Sequence, residues 1–301
     1  GAGGALTVFA SGQTPPSAVT GPVVPGKLAV LFTGQGGQRL GMGRGLYEAW
    51  PAFRAAFDEV CAALEIHLGM PLAPCIFAEG AEAAARLERT ELAQPALFAL
   101  EVSLYRQWQA LGLRPAYVAG HSVGELAAAH VSGVLSLADA AKLVVARGRL
   151  MQACDSSGIM ASIDATEADV LGALPSVPGR VTIAGLNGPQ QTVISGDRAS
   201  VEALVERFAA AGRRVRRLAV SHAFHSPHMD SMLEALEAVA RTCSFSEPDL
   251  ACVSTVTGAL STELTSPLYW AQQVRKPVRF HDAIRTLAGA GVTRFLECGP
   301  A

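Results

Sequence analysis

The stretch YVAGHSVGELAAAH, residues 117–130, constrains the fold of this chain more than any other. It joins a short apolar run, typical of a buried strand, to an alanine-rich helical run, and Ser122 lies between Gly120 and Gly124 at the junction. Glycines on both sides allow a sharp strand-to-helix turn that exposes the serine hydroxyl beside a helix N-terminus. The alternative is that Ser122 only caps the helix, and these residues alone leave both interpretations open.

Length and composition favour a large α/β protein. Of 301 residues, 50% are apolar and 17% are charged, which is enough for one large domain or two modest ones. The 24 basic and 26 acidic residues nearly balance, so we expect neither a nucleic-acid partner nor a membrane surface. The densest basic run, RRVRRLAV at 213–220, is interpreted as a solvated helix-to-strand edge, with reception of an acidic protein partner as the alternative.

The six cysteines are scattered without C-x-x-C spacing, which argues against a zinc site and a disulfide framework. The sequence contains no uncharged apolar run of about twenty residues, the length that a membrane-spanning helix needs. Its first residues also lack the charged start and apolar core of a signal peptide. We therefore expect a cytoplasmic protein without metal.

The element pattern predicts two parts and a leading segment. Residues 1–26 are rich in Gly, Pro, Ser and Thr and are interpreted as a linker. Residues 157–221 give the order βαββαβ, which is typical of a ferredoxin-like unit. We predict that this small subdomain is inserted in a larger one, formed by 27–156 and 222–301, with a central parallel sheet like that of the α/β hydrolases.

A nucleophilic serine needs a base, and histidine is the residue to consider. The loop SHAFHSPHMD, 221–230, offers His222, His225 and His228. Their spacing also suggests a metal site, but no carboxylate or cysteine cluster supports one, and we choose His225 as the base. Three other histidines lie in helical stretches and are interpreted as surface or packing residues: His67, His130 and His281.

Stabilising the oxyanion requires backbone N–H groups that converge on one point. The amide of Val123, directly after the serine, supplies one donor. The glycine-rich loop Gly34–Gly37 supplies the second if it lies beside the turn. Because this loop lacks the G-K-[ST] ending and a strict G-x-G-x-x-G context, we do not expect it to bind a nucleotide.

Four ordered motifs now carry a resemblance: FTGQGGQRLGMG, GHSVGELAAAHVSGVLSLADAAKLVVARGRLMQ, GLNGPQQTVISG and HAFHSPHMD. Together they resemble the malonyl-CoA:acyl-carrier-protein acyltransferase family. More closely, residues 27–301 look like the acyltransferase domain of a modular type I polyketide synthase. The resemblance implies that Ser122 becomes acylated, that His225 is the base, and that Gln35 and Val123 donate the oxyanion-hole amides.

The resemblance also assigns residues around this pair. Arg147 matches the arginine that binds the free carboxylate of the extender unit, a role suited to a planar guanidinium. No aspartate completes a triad in this family, and a carbonyl near Gln273 orients the histidine instead. Asn187 and His121 match polar residues that line or brace the site.

The loop around His225 implies a substrate. His222-Ala223-Phe224-His225 resembles malonyl-selective domains, and the bulk of Phe224 should crowd the α-methyl group of a methylmalonyl unit. Val123, where the methylmalonyl-selective domains often have glutamine, agrees. The implied partners are malonyl-CoA, the phosphopantetheine of an acyl carrier protein and a neighbouring ketosynthase domain, with no cofactor of the protein's own. Three alternatives remain: another extender unit such as methylmalonyl, a lipase-like serine hydrolase, and an inactive carrier-docking module.

Overall fold

The structure, a computed structural model, describes residues 24–300 and contains two four-stranded sheets. The strands are β1 Lys27–Phe32, β2 Tyr117–Gly120, β3 Ile159–Ile163, β4 Val181–Gly188, β5 Gln191–Gly196, β6 Val215–Arg217, β7 Ala251–Val253 and β8 Val292–Cys298. One sheet has the order β7-β2-β1-β8 and the other β4-β5-β3-β6. The two sheets therefore use separate sets of strands.

The α-helices in the described part lie mostly between the strands of the first sheet. They are α1 Arg44–Ala49, α2 Pro51–Leu68, α3 Ala73–Ile76, α4 Ala81–Leu87, α5 Thr90–Ala110, α6 Gly124–Val131, α7 Leu137–Gln152, α8 Glu167–Ala173, α9 Arg198–Ala210, α10 Leu233–Ala240, α11 Pro267–Arg275 and α12 Phe280–Gly289. Short 3₁₀ segments occur at Leu174–Ser176, Pro227–Met232 and Glu263–Thr265.

The first sheet is parallel throughout and carries the candidate nucleophile. Alternate residues of β1 pack on opposite faces: Val30 and Phe32 belong to the main core with α2, α5 and α7, and Ala29 and Leu31 pack toward α12. Covering both faces with helices explains why β1, β2 and β7 are apolar runs, whereas the edge strand β8 carries charged and exposed residues. Phe32 pairs with Gly120 at the carboxyl ends of β1 and β2, so the glycine-rich loop and the serine turn leave the sheet side by side.

The second sheet is antiparallel. Along the chain, its strands and their helices follow one another as β3-α8-β4-β5-α9-β6. One face packs on α8 and α9 over a small core of its own. The connection between α11 and α12 joins this unit to the large one, because Val278 accepts from the amide of Leu186 at 2.8 Å and donates to Ala184 at 2.9 Å. Arg279 adds a two-point ion pair with Glu167 on α8.

The predicted fold class is confirmed: a parallel-sheet α/β subdomain with an inserted ferredoxin-like unit. The strands of the inserted unit run from Ile159 to Arg217, inside the predicted 157–221. Most of the predicted linker, residues 1–26, lies outside the described residues. Within residues 24–300, no helix has both the length and the apolarity needed to cross a membrane.

Candidate active site

Close backbone contacts in the turn after β2 explain why glycines lie two residues before and two residues after Ser122. A Cβ on Gly120 would lie 2.1 Å from the carbonyl carbon of Gly124, and a Cβ on Gly124 would lie 2.4 Å from the Thr33 carbonyl oxygen. Both contacts are with backbone, which cannot move aside. Ser122 itself has a φ of 52°, in the left-handed region that non-glycine residues rarely adopt and that recurs at functional sites.

Ser122 and His225 meet although 103 residues separate them. Ser122 Oγ lies 2.8 Å from His225 Nε2. His225 also has a left-handed φ, 55°, and its loop is pinned by Ser226, whose hydroxyl donates to the Ala223 carbonyl and accepts from the His228 amide. A serine bonded to a histidine in this way can lose its proton as it attacks, so it is not merely a helix cap.

The carbonyl that orients His225 most directly belongs to Lys276, three residues after Gln273, and the backbone of Gln273 also hydrogen-bonds the imidazole, as expected for a carbonyl near Gln273. His225 Nδ1 lies 2.9 Å from the Lys276 oxygen. Because a carbonyl only accepts, the proton is on Nδ1, and Nε2 is left as an acceptor for the Ser122 hydroxyl. The side chain of Gln273 points elsewhere, to the Ser122 carbonyl, Glu125 and Arg147.

Burial keeps His225 neutral. It is 4% exposed, and desolvation together with the nearby Arg147 charge lowers its pKa to about 3. A neutral imidazole is the form that accepts a proton. Folding becomes less favourable as the pH falls from about 6.5 toward 3, because the unfolded chain binds a proton there that the folded chain excludes.

This shift predicts the pH dependence of acylation. The resemblance implies acylation of Ser122, and we expect the rate of that step to show no inflection near pH 6.5, the ordinary pKa of histidine, when the pH is lowered from about 8 to about 5.5. The measurement is the second-order acylation rate with acetyl-CoA, followed by intact-protein mass. An inflection near pH 6.5 would mean that water protonates His225 in the free enzyme, contrary to its burial.

Arg147, on α7, is a buried cation beside the candidate nucleophile Ser122. It is 2% exposed and has only neutral partners: Nη1 donates to Gln94 Oε1 at 2.7 Å, and Nη2 donates to Ser122 Oγ at 3.1 Å and to Gln273 Oε1 at 3.2 Å. Its Nε has no partner within the described residues. Desolvation lowers its pKa to about 10, so it stays charged near neutral pH. Among the described residues no carboxylate contacts this buried charge directly, although Glu125 lies near enough to raise its pKa.

Two backbone amides near Ser122 have no protein acceptor. In the described part of the chain, neither the N–H of Gln35 nor that of Val123 donates a hydrogen bond. The loop is held by its neighbours instead, since Gln38 accepts from Gly36 and donates to Glu88. Unpaired amides on two adjacent loops at the end of the sheet are the donors that an oxyanion requires.

A cavity of about 640 Å³ opens between the two subdomains at Ser122. Asn187 and His121 lie on its wall and are joined by a 3.0 Å hydrogen bond from His121 Nε2. Phe224 also faces the cavity, next to His225. The remaining lining residues include Gln35, Gln94, Met151, Met160, Ser162, Val193 and Val278.

Two predicted substrate-contacting side chains do not line this cavity. The side chain of Val123 is 1% exposed and packs in the main core, so only its amide reaches the site. His222 lies behind Phe224, with ring centres 5.8 Å apart, and its Nδ1 contacts Ser221 Oγ at 2.7 Å. His228 is separated from His225 and contacts Asp197, so the three histidines do not converge.

The basic run 213–220 is mostly exposed, as predicted for a solvated edge, and part of it also borders the cavity. Three of its residues form β6, Val215–Arg217, and the exposed Arg216 and Arg217 line the cavity. Arg217 pairs with Glu202 at 3.2 Å. The run therefore places positive charge at the entrance to Ser122.

Sequence reasoning missed three groups at the site: Gln94, Glu125 and the Lys276 carbonyl. Gln94 and Glu125 are buried polar residues in otherwise apolar helical runs, and that contrast was a readable signal. The Lys276 carbonyl gives no signal, because every residue has one.

Residues 30–300 match the acyl transferase domain family, which covers nearly all of the described chain. The chain belongs to this family. The match includes both subdomains and every side chain of the site described above.

Curated relatives within the family are polyketide synthases. The chain is 50% identical over 278 residues to polyketide synthase GfsA of Streptomyces halstedii, covering 91% of this chain and 4% of that protein. It is 50% identical over 299 residues to a phenolphthiocerol synthesis polyketide synthase type I of Mycobacterium marinum, covering 98% of this chain and 14% of that protein. The chain thus spans a small part of each relative's length.

Solved structures agree with these matches. The acyltransferase domain from the second module of the salinomycin polyketide synthase is 51% identical, with a TM-score of 0.90 over 98% of this chain and 69% of that one. A malonyl-CoA:acyl carrier protein transacylase from Xanthomonas oryzae is 36% identical, with a TM-score of 0.83 over 93% of this acyltransferase and 89% of that chain. The resemblance to polyketide synthase acyltransferase domains is therefore confirmed.

Proposed function

We propose that this acyltransferase moves a malonyl group from coenzyme A to the phosphopantetheine thiol of an acyl carrier protein through an acyl-serine. His225 Nε2 takes the Ser122 proton as Oγ attacks the thioester carbonyl. The amides of Gln35 and Val123 stabilise the oxyanion of the tetrahedral intermediate. Coenzyme A leaves as the thiol with the proton from His225, and the carrier thiol then attacks the acyl-serine by the same route.

The observation that carries this proposal is the buried guanidinium of Arg147 beside Ser122 Oγ, which has no carboxylate in direct contact among the described residues and whose Nε has no partner there. A buried cation with only neutral partners is costly unless an anion arrives. Malonyl brings a carboxylate two bonds from its thioester carbonyl, so one substrate can satisfy both Arg147 and the oxyanion hole. A lipase-like hydrolase would have no use for that charge.

The extender unit follows from Phe224 in the cavity wall. Its ring lies in the loop that carries His225, where it would meet a substituent on the α-carbon of the acyl group. We propose malonyl as the preferred unit and methylmalonyl as the disfavoured one. Rejection of one methyl group by an apolar wall is worth on the order of 1–3 kcal/mol, so the preference is graded.

The partner is proposed to be a carrier protein domain in the same synthase, next to a ketosynthase. The exposed Arg216 and Arg217 at the cavity mouth support an acidic partner there. No metal or redox cofactor has a step in the proposed reaction, because His225, the two amides and Arg147 supply the base, the oxyanion donors and the carboxylate site.

The test is intact-protein mass spectrometry after mixing the chain with acetyl-, malonyl- and methylmalonyl-CoA, with and without a phosphopantetheinylated carrier. We expect the mass of a malonyl group on the enzyme, followed by its transfer to the carrier. Release of free malonate faster than transfer would instead indicate a hydrolase. No mass gain from any acyl-CoA would indicate an inactive module.

Replacing Phe224 by Ser together with His222→Tyr should relax the choice between malonyl-CoA and methylmalonyl-CoA. Space opens where an α-methyl group would lie, so the ratio of the two specificity constants should fall by about tenfold without reversing. Competition between the two acyl-CoAs gives the ratio. His222→Tyr alone is the control and should stay near the wild-type ratio, because His222 lies behind the cavity wall. An unchanged ratio in the double variant would exclude Phe224 as a determinant.

A further inference from the structure

Glu125 is a buried carboxyl group that the proposed reaction does not use. It lies three residues after Ser122, in the first turn of α6, and its exposed fraction is 0%. None of the ion pairs identified between residues 24 and 300 includes it, and its hydrogen bonds are to neutral groups. Burying a carboxyl group destabilises the folded protein unless hydrogen bonds replace its contacts with water.

The contacts of Glu125 require a carboxyl group. Oε1 accepts from the amide of Thr255 at 2.9 Å and from the Tyr269 hydroxyl, and Oε2 accepts from Gln273 Nε2 at 3.1 Å. The Thr255 amide and Gln273 Nε2 can only donate, and they meet different oxygens. A glutamine at this position has a single oxygen, so it would leave one of these donors facing an N–H group.

Gln273 connects Glu125 to the candidate catalytic groups. Its Nε2 has two N–H bonds: one donates to Glu125, and the other donates to the Ser122 carbonyl at 2.7 Å. These two bonds fix the plane of the Gln273 amide, so that Gln273 Oε1 faces Arg147 and accepts from Arg147 Nη2 at 3.2 Å. That same Nη2 is the nitrogen that reaches Ser122 Oγ.

We propose that Glu125 is a positioning residue for the acyl carboxylate: by holding Gln273, it fixes the guanidinium of Arg147 relative to Ser122. The inference rests on the proposed function, since a free carboxylate on the acyl group is what Arg147 would bind. Loss of the Glu125 contact lets the Gln273 amide rotate and removes one of the three oxygens that orient Arg147. Acyl groups with a carboxylate are then affected more than acetyl.

The electrostatics agree with this geometry. Burial lowers the pKa of Arg147 and raises the pKa of Glu125, whose hydrogen bonds act against that rise, and the attraction of Arg147 to the Glu125 carboxylate raises the pKa of Arg147 in turn. The two charges are separated by the Gln273 amide and do not form a direct pair. Arg147 is therefore supported by Glu125 and still open to an incoming carboxylate.

The test compares Glu125→Gln, Gln273→Met and the double variant, using acylation rates with malonyl-CoA and acetyl-CoA. Each single change should lower the malonyl-to-acetyl ratio by about tenfold, and the double variant should lower it no further, because both act on one contact. Thr192→Val is the matched control. It removes a buried hydrogen bond to the Ala165 carbonyl in the inserted unit, and it should keep the wild-type ratio.

A wild-type ratio in Glu125→Gln, with lowered stability as in the control, would overturn the proposal by showing a purely structural role. If the two substitutions lower the ratio by independent factors that multiply in the double variant, Glu125 does not act through Gln273, and that part of the proposal is overturned. If Glu125→Gln does not fold, Gln273→Met decides, and a wild-type ratio there overturns the proposal. Failure of the proposed function is distinct, because the wild-type enzyme would then gain no malonyl mass at all.

Discussion

Ser122→Ala should abolish the acyl-enzyme. Oγ is the atom that lies 2.8 Å from His225 Nε2 and 3.1 Å from Arg147 Nη2, and alanine removes it without adding bulk to the turn. Loss of a serine nucleophile lowers turnover by about 10⁴–10⁶-fold in comparable enzymes. Intact-protein mass after incubation with malonyl-CoA should therefore show no adduct in the variant and one adduct in the wild-type enzyme.

The fold of this variant should be intact, with an unfolding free energy within about 1 kcal/mol of wild type, because no large side chain is lost. Ser103→Ala is the control. Ser103 is a buried serine on α5 whose hydroxyl donates only to the Ala99 carbonyl, and its removal should leave acylation in place. Acyl mass appearing on Ser122→Ala at the wild-type rate would mean that another residue is the nucleophile.

Arg147→Ala should lower the rate of acylation by malonyl-CoA far more than the rate of acylation by acetyl-CoA. Removing the cation that would bind a buried carboxylate is worth about 3–5 kcal/mol, which corresponds to a loss of about 10²–10⁴-fold in malonyl acylation. Acetyl has no carboxylate, so its acylation should be retained or increased. The measurement is the pair of specificity constants for the two acyl-CoAs, from adduct mass against time.

Arg279→Ala is the matched control for this prediction. Unlike Arg147, Arg279 forms ion pairs, with Glu167 and Asp282, and it joins the two subdomains away from Ser122. It should lower both rates by a similar factor, if at all. Equal losses for malonyl and acetyl in Arg147→Ala would show that this arginine has a structural role and binds no carboxylate.

Local features of the sequence were sufficient to predict the framework. Glycine is required at Gly120 and Gly124 because a Cβ there would lie 2.1 and 2.4 Å from backbone atoms. This requirement is visible within five consecutive residues of the sequence. The alternating βαββαβ pattern between 157 and 221 likewise follows from periodicity within each element. The parallel sheet could be predicted because its strands are apolar runs separated by helices.

Only the tertiary structure decided the contacts between distant segments. The carbonyl that orients His225 lies 51 residues away on Lys276, and Glu125, Gln273 and Arg147 come from three different helices. Backbone carbonyls are alike in every residue, so no sequence pattern marks the one that faces an imidazole. Side-chain direction at Val123 and His222 was equally hidden, because it depends on which neighbours exclude the side chain from the cavity. A sequence records the spacing along one segment, and packing between segments sets which polar groups share a site.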